Sequence, residues 1–445
     1  MSRVFVWLSL VLMGGACAVD SGSSPGQKGG STAAGGSTGA GGSPTGVGAG
    51  GSSSVGGSSS SSTGGSTAGA GGGASGSIFG GTPTPPTATA KFPFPQNRAS
   101  AVCVYPPAAT NADVTTGYNH WKALAITSNG AGGQLRVQRP DSGSDTVSEG
   151  IGYGMIAAVY MNDQTTFDSL WRYEQKWLDS VGLMNWQINS GGTQAIGTGS
   201  ATDGDEDMAW ALIMADRQWG GQGTLTGTYL DTAKALIAKI WQYDVDHGRN
   251  EMLKPGDGWM EDRTNPSYFA PAYYRVFSTV TNDPNWLKVV ESSYSIITQS
   301  LAYGNASNGL VPDWCTSTGT PEGTYTYDAC RTPFRIALDA CLFNEPRAVS
   351  YLGKTSSFFS GVGAANIKDG YALTGTPSGT SLKLAFLGPA AVGSMTQSSP
   401  SQLLNDGYRG MATLTPVENT YYNAAWGVLS LLMMTGNFLD YTQIP

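Results

Sequence analysis

Apolar residues recur at helical spacing in about a dozen segments of this chain, and polar loops separate them. The strongest segments are 207–219, 228–245, 285–302, 332–343 and 421–434; weaker ones are 113–126, 151–161, 166–180, 267–278, 345–359, 380–393 and 398–407. No strong alternation typical of half-buried strands appears. Because so many amphipathic helices share one core, the pattern predicts an all-α domain of concentric helix pairs, although a helical solenoid also fits it.

The N-terminal fifth of the chain differs in composition from the rest. Residues 1–18 combine one Arg, an apolar run too short to span a bilayer, and small residues around Cys17, which predicts a secretion signal. The sequence LMGGAC also loosely resembles a lipobox, so Cys17 is either lipidated or lost with the signal. Residues 19–90 are mostly Gly, Ser, Thr and Ala and predict a disordered, flexible linker. We therefore expect an exported protein, extracellular or held at the cell surface by a lipid, with its folded domain at 91–445.

Charge and residue usage exclude several classes of function. The net charge of −8 argues against a nucleic-acid partner and against a polyanionic substrate. His120 and His247 are the only histidines, which disfavours a histidine-based triad or zinc site, and we expect no metal and no cofactor. We expect a monomer. Four cysteines of the folded part allow two disulfides, with the pairing open: Cys103, Cys315, Cys330 and Cys341.

Acidic residues occur in four conspicuous places. Glu149 precedes three alternating glycines in SEGIGYGM, and Asp203 opens the acidic run in ATDGDEDMA. A third group surrounds Trp259 in GDGWMEDR, and Asp328 lies three residues before Arg331 in YDACR. Structural interpretations exist for each. D-x-x-E is the spacing of an N-terminal helix cap, to which we assign the last two acids of DGDED, and Asp328 with Arg331 could form a surface ion pair.

A chemical interpretation explains more of these features together. Hydrolysis of a glycosidic bond needs two carboxyl groups, one protonated and one ionised. Aromatic side chains that could stack on sugar rings lie close to the acids in sequence, among them Tyr153, Trp186, Trp210, Trp259, Tyr268, Tyr273, Tyr274, Tyr325, Tyr327, Tyr421 and Tyr422. We assign Trp210 and Trp426 to the core because they lie mid-helix. The pattern predicts a sugar-cleaving cleft, in which the glycines after Glu149 leave the wall bare for a sugar ring.

Five sequence blocks resemble glycoside hydrolase family 8. The block ATDGDEDMAWALIMADRQW (201–219) resembles the family signature, and VSEGIGYGM, GLMNW, NPSYFAPAYYRVF and YDACRTPFRIALDA resemble its other blocks in order. The resemblance extends from Phe94 to Phe438. It implies an (α/α)6 barrel and inverting hydrolysis of β-1,4-linked glycans.

The resemblance also implies roles for individual residues. Glu149 would be the general acid and Asp328 the general base, while Asp203 would hold and distort the sugar. Arg331 would orient Asp328 or keep it ionised by lowering its pKa. Stacking and substrate contacts would come from Trp186, Tyr268, Tyr327, Tyr421 and Tyr422. Cys330 departs from the motif and suggests a disulfide that braces the loop carrying the base.

The substrate implied is a β-1,4-glycan polysaccharide. We expect an endo-1,4-β-glucanase acting on cellulose or mixed-linkage β-glucan. The alternatives are a β-1,4-xylanase, or an oligoxylanase that releases xylose from reducing ends. A non-catalytic carbohydrate-binding surface protein is a weaker alternative, because all three acids are present.

Overall fold

A computed structural model describes residues 89–444 of the chain, so the predicted signal, Cys17 and the linker as far as residue 88 lie outside the described residues. The helices are α1 Asn111–Ala125, α2 Ser148–Tyr160, α3 Gln164–Glu174, α4 Thr202–Gln218, α5 Tyr229–Lys239, α6 Pro271–Thr281, α7 Trp286–Leu301, α8 Thr332–Phe343, α9 Pro346–Val362, α10 Leu384–Gly393, α11 Gln402–Leu414 and α12 Tyr421–Met434. Short antiparallel strands lie in the loops: β1 Ile126–Thr127 with β2 Arg136–Val137, β3 Thr146–Val147 with β4 Gln187–Ile188 and β5 Ala195–Gly197, β6 Val245–Asp246 with β7 Met252–Leu253, and β8 Trp314–Cys315 with β9 Pro321–Glu322.

The helices form two concentric rings. The even-numbered helices are buried on nearly every side and make the inner ring, in which α2 contacts α4 and α12, α8 contacts α6 and α10, and α10 contacts α12. Each odd-numbered helix covers an inner one, as α3 covers α2 and α9 covers α8. This is the predicted all-α (α/α)6 barrel, and the closed ring excludes the solenoid. Within the described part of the chain, no helix is long and apolar enough to span a bilayer.

Aromatic side chains fill the space inside the inner ring. Trp210 of α4 stacks on Tyr273 of α6 with ring centroids 4.3 Å apart, so this aromatic pair joins the two inner helices. Trp426 of α12 meets Tyr153 of α2 edge to face at 5.4 Å, and Phe334 of α8 at 5.2 Å. Trp210 and Trp426 are therefore core residues, as predicted, and truncating either would cost about 3–5 kcal/mol.

Glycines let the first turns of α2 and α4 approach closely. A Cβ on Gly204 would lie 2.8 Å from the carbonyl carbon of Ser148 and 2.9 Å from the amide nitrogen of Glu149. A Cβ on Gly152 would lie 2.7 Å from Cβ of Asp207. We expected the glycines after Glu149 to leave the wall of the cleft free of side chains so that a sugar ring could lie against it, and this expectation is therefore wrong. They are buried, and they are needed because neighbouring helices occupy the space of a side chain.

The N-terminal segment of the domain runs across the C-terminal ends of the inner helices. The amide of Lys91 donates to the carbonyl of Gln218 at the end of α4 (2.9 Å), and the Gln96 side chain donates to the carbonyl of Tyr160 at the end of α2 (3.0 Å). A disulfide joins Cys103 to Cys341 near the end of α8. The segment thus ties together the face of the barrel opposite to the first turns of the inner helices.

The two remaining cysteines of the described chain correct the disulfide expectation. Cys315 and Cys330 are free, buried thiols, so no disulfide braces the loop of Asp328. The Cys330 Sγ instead lies 3.2 Å from the carbonyl oxygen of Tyr327 and donates to it. Burial raises the pKa of both thiols, which keeps them protonated.

Candidate active site

The residues singled out by the sequence converge where the inner helices begin. Glu149 is in the first turn of α2, not ahead of the helix as predicted, and Asp203 is in the first turn of α4. Asp328 and Arg331 belong to a short turn that leads into α8, and Tyr421 is the first residue of α12. The inner helices all begin at this face, so residues distant in sequence meet at one site.

The Arg331 guanidinium joins the three carboxylates. Its Nη1 donates to Asp203 Oδ2 at 2.7 Å and to Glu149 Oε2 at 3.0 Å, while its Nη2 donates to Asp328 Oδ1 at 2.6 Å. The Arg331 side chain is 2 % exposed, and those of Glu149, Asp203 and Asp328 are 19 %, 3 % and 31 % exposed. The Asp328–Arg331 pair is thus part of a buried cluster and not a surface pair. Because one cation faces three acids, at least one carboxyl group is favoured in its neutral form.

Glu149 is the carboxyl group whose surroundings favour protonation. Burial raises its pKa to about 7, and this effect exceeds the opposing attraction of Arg331, with Asp203 adding repulsion. The hydroxyl of Tyr421 donates to its Oε1 at 3.2 Å, and that of Tyr153 to its Oε2 at 3.3 Å. Glu149 is therefore held in position and is half protonated near neutral pH, as a proton donor requires.

Asp328 differs from Glu149 in its neighbours and in its exposure. Burial raises its pKa above the ordinary value, while Arg331 opposes that rise and the donors on Asn265 and Trp314 oppose it further. Arg331 therefore lowers the pKa of Asp328, as expected, but burial is the larger effect and leaves that pKa above the ordinary value. One guanidinium bonds Asp328 and Glu149, so their bonded oxygens are at most about 8 Å apart.

The acidic run of α4 is more buried than a helix cap would be. Glu206 accepts a hydrogen bond from the hydroxyl of Tyr274 at 2.9 Å, and both oxygens of Asp207 accept from Arg335. The capping role expected for these two acids is therefore wrong: their side chains face the core between helices. Asp205 is fully buried, and burial keeps its pKa well above the ordinary value.

Several of the aromatic residues named from the sequence lie at this same face, and the others are buried in the core. The ring of Trp186 is partly exposed and lies against Gly197, where a Cβ would be 2.3 Å from the indole. Tyr268 lies under Arg331, whose guanidinium carbon is 5.1 Å from the ring centroid. Tyr327 donates to Asp369 at 3.3 Å, and Tyr422 donates to the carbonyl of Tyr327 at 2.6 Å. Tyr422 therefore supports the loop of Asp328, while Trp186 and Tyr327 keep partly exposed rings.

Sequence reasoning missed the surroundings of Asp328. Trp314, on β8, stacks on Trp259 with centroids 5.7 Å apart, and the Arg263 guanidinium covers both rings at 4.6 and 5.4 Å. Asn265 is the first residue of the recognised block NPSYFAPAYYRVF, so this block could have indicated that Asn265 belongs to the site. Trp314 lies in none of the recognised blocks, and it reaches the site because β8 pairs with β9 and because Cys315 of β8 pairs with Thr264.

Comparisons with known proteins point to one family. The sequence model described as Glycosyl hydrolases family 8 matches residues 92–436. Endoglucanase A of Acetivibrio thermocellus is 41% identical over 331 residues, which are 72% of this chain and 68% of that protein. Endoglucanase 2 of Ruminiclostridium josui is 39% identical over 368 residues, which are 79% of this chain and 78% of that protein. The apo structure of a beta-1,3-1,4-glucanase from Paenibacillus sp. X4 superposes with a TM-score of 0.73 at 33% identity, covering 78% of this chain and 99% of that one.

Proposed function

Because the chain belongs to glycosyl hydrolase family 8, and is therefore a glycoside hydrolase, we propose that it is an inverting endo-1,4-β-glucanase of cellulose or mixed-linkage β-glucan. The observation that carries the mechanism is the Arg331 cluster, which holds three carboxylates at one face of the barrel. The glucan preference rests on the relatives, which are named for endoglucanase and beta-1,3-1,4-glucanase activity.

In this mechanism Glu149 donates its proton to the departing glycosidic oxygen. Its pKa of about 7 keeps the proton available at neutral pH, and Tyr421 and Tyr153 fix the carboxyl group. Asp328 takes a proton from a water molecule that attacks the anomeric carbon from the opposite face of the sugar. Inverting enzymes need roughly 6.5–9.5 Å between the two carboxyl groups to accommodate that water, and the limit of about 8 Å set by Arg331 allows such a spacing.

Asp203 and Arg331 complete the proposed machinery. Asp203 is bound to Arg331 and to the amide of Gly204 at 2.9 Å, so its orientation is fixed before a sugar arrives. It would accept a hydrogen bond from a sugar hydroxyl at the cleavage point. Trp186, Tyr327 and Tyr422, whose side chains are partly exposed, supply flat or hydroxyl-bearing surfaces for the neighbouring sugars, while the buried Tyr268 and Tyr421 support Arg331 and Glu149 from behind.

A substrate panel tests the proposal. Reducing ends released from carboxymethylcellulose, barley β-glucan, xylan and chitosan are measured with the purified protein. We expect release from the first two; release from xylan alone would favour the xylanase alternative, and none from any polymer would refute the hydrolase. Glu149→Gln and Asp328→Asn should each abolish turnover while cellulose binding persists, because the aromatic residues remain. Asp406→Asn, which removes a carboxylate from an exposed ion pair, is the matched control and should stay active.

The stereochemistry of the product tests the proposed roles of the two acids. NMR of freshly cleaved cello-oligosaccharide should show the α-anomer first, because attack opposite to a β-linkage inverts the anomeric carbon. The β-anomer appearing first would contradict Asp328 as a base that acts through water.

We propose further that the protein is exported and that residues 19–90 serve as a tether. The support is the sequence of residues 1–18, with Cys17 following the apolar run. Fractionation of producing cells should find the enzyme in the medium or in a membrane fraction from which Cys17→Ala releases it. Retention of an uncleaved chain in the cytoplasm would refute the proposal.

A further inference from the structure

Asp313, a residue outside every recognised block, organises the loop that carries Asp328. Its Oδ1 accepts hydrogen bonds from the amides of Thr326 (3.0 Å), Asp328 (3.2 Å) and Ala329 (2.8 Å). Its Oδ2 accepts one from the hydroxyl of Thr326. A single carboxylate therefore fixes the backbone two residues before Asp328, at Asp328 and at the residue after it.

The position of Asp313 is itself rigid. The residue immediately precedes β8, its amide donates to the carbonyl of Thr324 at 2.8 Å, and its side chain is buried. Other side chains bond the carbonyl groups of the loop: the Tyr422 hydroxyl and the Cys330 thiol donate to the carbonyl of Tyr327, and Nε of Arg331 donates to that of Asp328. Among the side-chain contacts described, only the Asp313 carboxylate accepts from the amide of Asp328.

We propose that Asp313 is a positioning residue, whose carboxylate sets the backbone of residues 326–329 and thereby aims the Asp328 carboxylate at the attacking water. The inference rests on the proposed role of Asp328 as the base. Asp313 itself lies behind the loop and needs no contact with the sugar. Displacing a catalytic base by about 1 Å can lower the rate of an enzyme about 100-fold. The three hydrogen bonds from backbone amides to Asp313 should therefore affect turnover more than substrate affinity.

The charge of Asp313 also acts on Asp328. Three titratable groups of the loop face Asp313: the carboxylate of Asp328, the thiol of Cys330 and the hydroxyl of Tyr325. Burial raises the pKa of Asp313 to about 6, and repulsion from Asp328 adds to the rise, while the amide of Ala329 and the hydroxyl and amide of Thr326 oppose it. By the same repulsion an ionised Asp313 makes Asp328 harder to ionise.

Asp313→Ala and Asp313→Asn separate positioning from charge. In the alanine variant we expect kcat on carboxymethylcellulose to fall about 100-fold while KM changes less than about threefold, because the aromatic residues are untouched. The asparagine variant keeps an oxygen for the three amides, and the Thr326 hydroxyl can turn to accept from the new NH2 group. Its kcat should recover to within about tenfold of the wild type. The acid limb of its kcat/KM profile should move to lower pH, since the charge facing Asp328 is gone.

Asp179→Ala is the matched control. The Oδ1 of Asp179 accepts the amides of Val181 (2.9 Å), Gly182 (2.8 Å) and Leu183 (3.1 Å), so it organises another loop in the same way. We expect this variant to lose thermal stability but to keep kcat within about twofold, because its loop does not carry the base.

Three outcomes would overturn the inference. These are an alanine variant with kcat within about threefold of wild type, a loss confined to KM, or an equal loss of kcat in Asp179→Ala. If the alanine variant does not fold, an unmoved acid limb in Asp313→Asn refutes it. A wild-type protein that is inactive on every glycan would instead refute the proposed function.

Discussion

Gly204→Ala tests whether the close approach of α2 and α4 creates the catalytic geometry. The new methyl group would lie 2.8 Å from the carbonyl carbon of Ser148 and 2.9 Å from the amide nitrogen of Glu149. Ordinary contacts between such atoms are about 3.5–4.0 Å, so the two helix starts must separate by roughly 0.7–1 Å. Both obstructing atoms are backbone, so no side-chain rotation relieves the clash.

The size of the effect follows from that displacement. Overpacking of this kind costs about 1–3 kcal/mol of unfolding free energy, and the better helix propensity of alanine returns only about 1 kcal/mol. Separating the two helix starts also moves Glu149 relative to Asp203, and both of these carboxylates accept hydrogen bonds from Nη1 of Arg331. A shift of nearly 1 Å should lower kcat by about 10- to 100-fold.

The assay is kcat on barley β-glucan together with thermal unfolding at the same pH. Gly353→Ala is the control, because a Cβ on Gly353 of α9 meets nothing within 4 Å. That variant should keep its kcat and gain up to about 1 kcal/mol. If Gly204→Ala keeps both kcat and its unfolding midpoint, the close approach of α2 and α4 does not fix the site.

Three further predictions concern protons and the disulfide. The value of kcat/KM should decline above about pH 7 as Glu149 loses its proton. Tyr421→Phe should move this decline to higher pH, because the carboxylate of Glu149 loses a hydrogen-bond donor. If the decline does not move, it belongs to another group. Burial raises the pKa of Glu174 to about 8. The stability contributed by protonated Glu174 is therefore complete below about pH 4.5 and is lost as pH rises towards 8. Glu174→Gln should make the unfolding temperature depend less on pH over this range, and an unchanged pH dependence would contradict the role of Glu174. Replacing Cys103 and Cys341 with alanine should lower the unfolding free energy by about 2–5 kcal/mol in denaturant titrations, with kcat at 25 °C nearly unchanged. A large loss of kcat would show instead that the disulfide at the end of α8 affects the active site at its start.

Helix patterns in the sequence predicted the fold well because local signals agree with the packing. The predicted limits of α8 and α12, 332–343 and 421–434, match the structure. In α8 a proline in the first turn favours the start, and Asn344 in the left-handed conformation (φ 53°) ends it. The start of α2 was predicted three residues late, because glycines weaken the helical pattern that packing against α4 restores.

The site was predictable where its residues lie in recognisable blocks and not elsewhere. Glu149, Asp203 and Arg331 were named, but nothing in the sequence indicated that one guanidinium binds all three acids. Asp313 and Trp314 were missed because only the fold of the β8 region brings them to Asp328. The suggestion of a Cys330 disulfide failed because a disulfide depends on the distance between two Cα atoms, which sequence spacing does not give.

The course of residues 89–110 determines the side from which the barrel is held. This segment binds the C-terminal ends of α2 and α4 and is bonded to the end of α8, whereas the acids lie where these helices begin. Helices of 12–17 residues separate the two faces by about 18–25 Å. The described part of the chain therefore begins at the face of the barrel opposite to the acids. A support fused directly at residue 89 would leave the face that carries the acids accessible to an insoluble substrate.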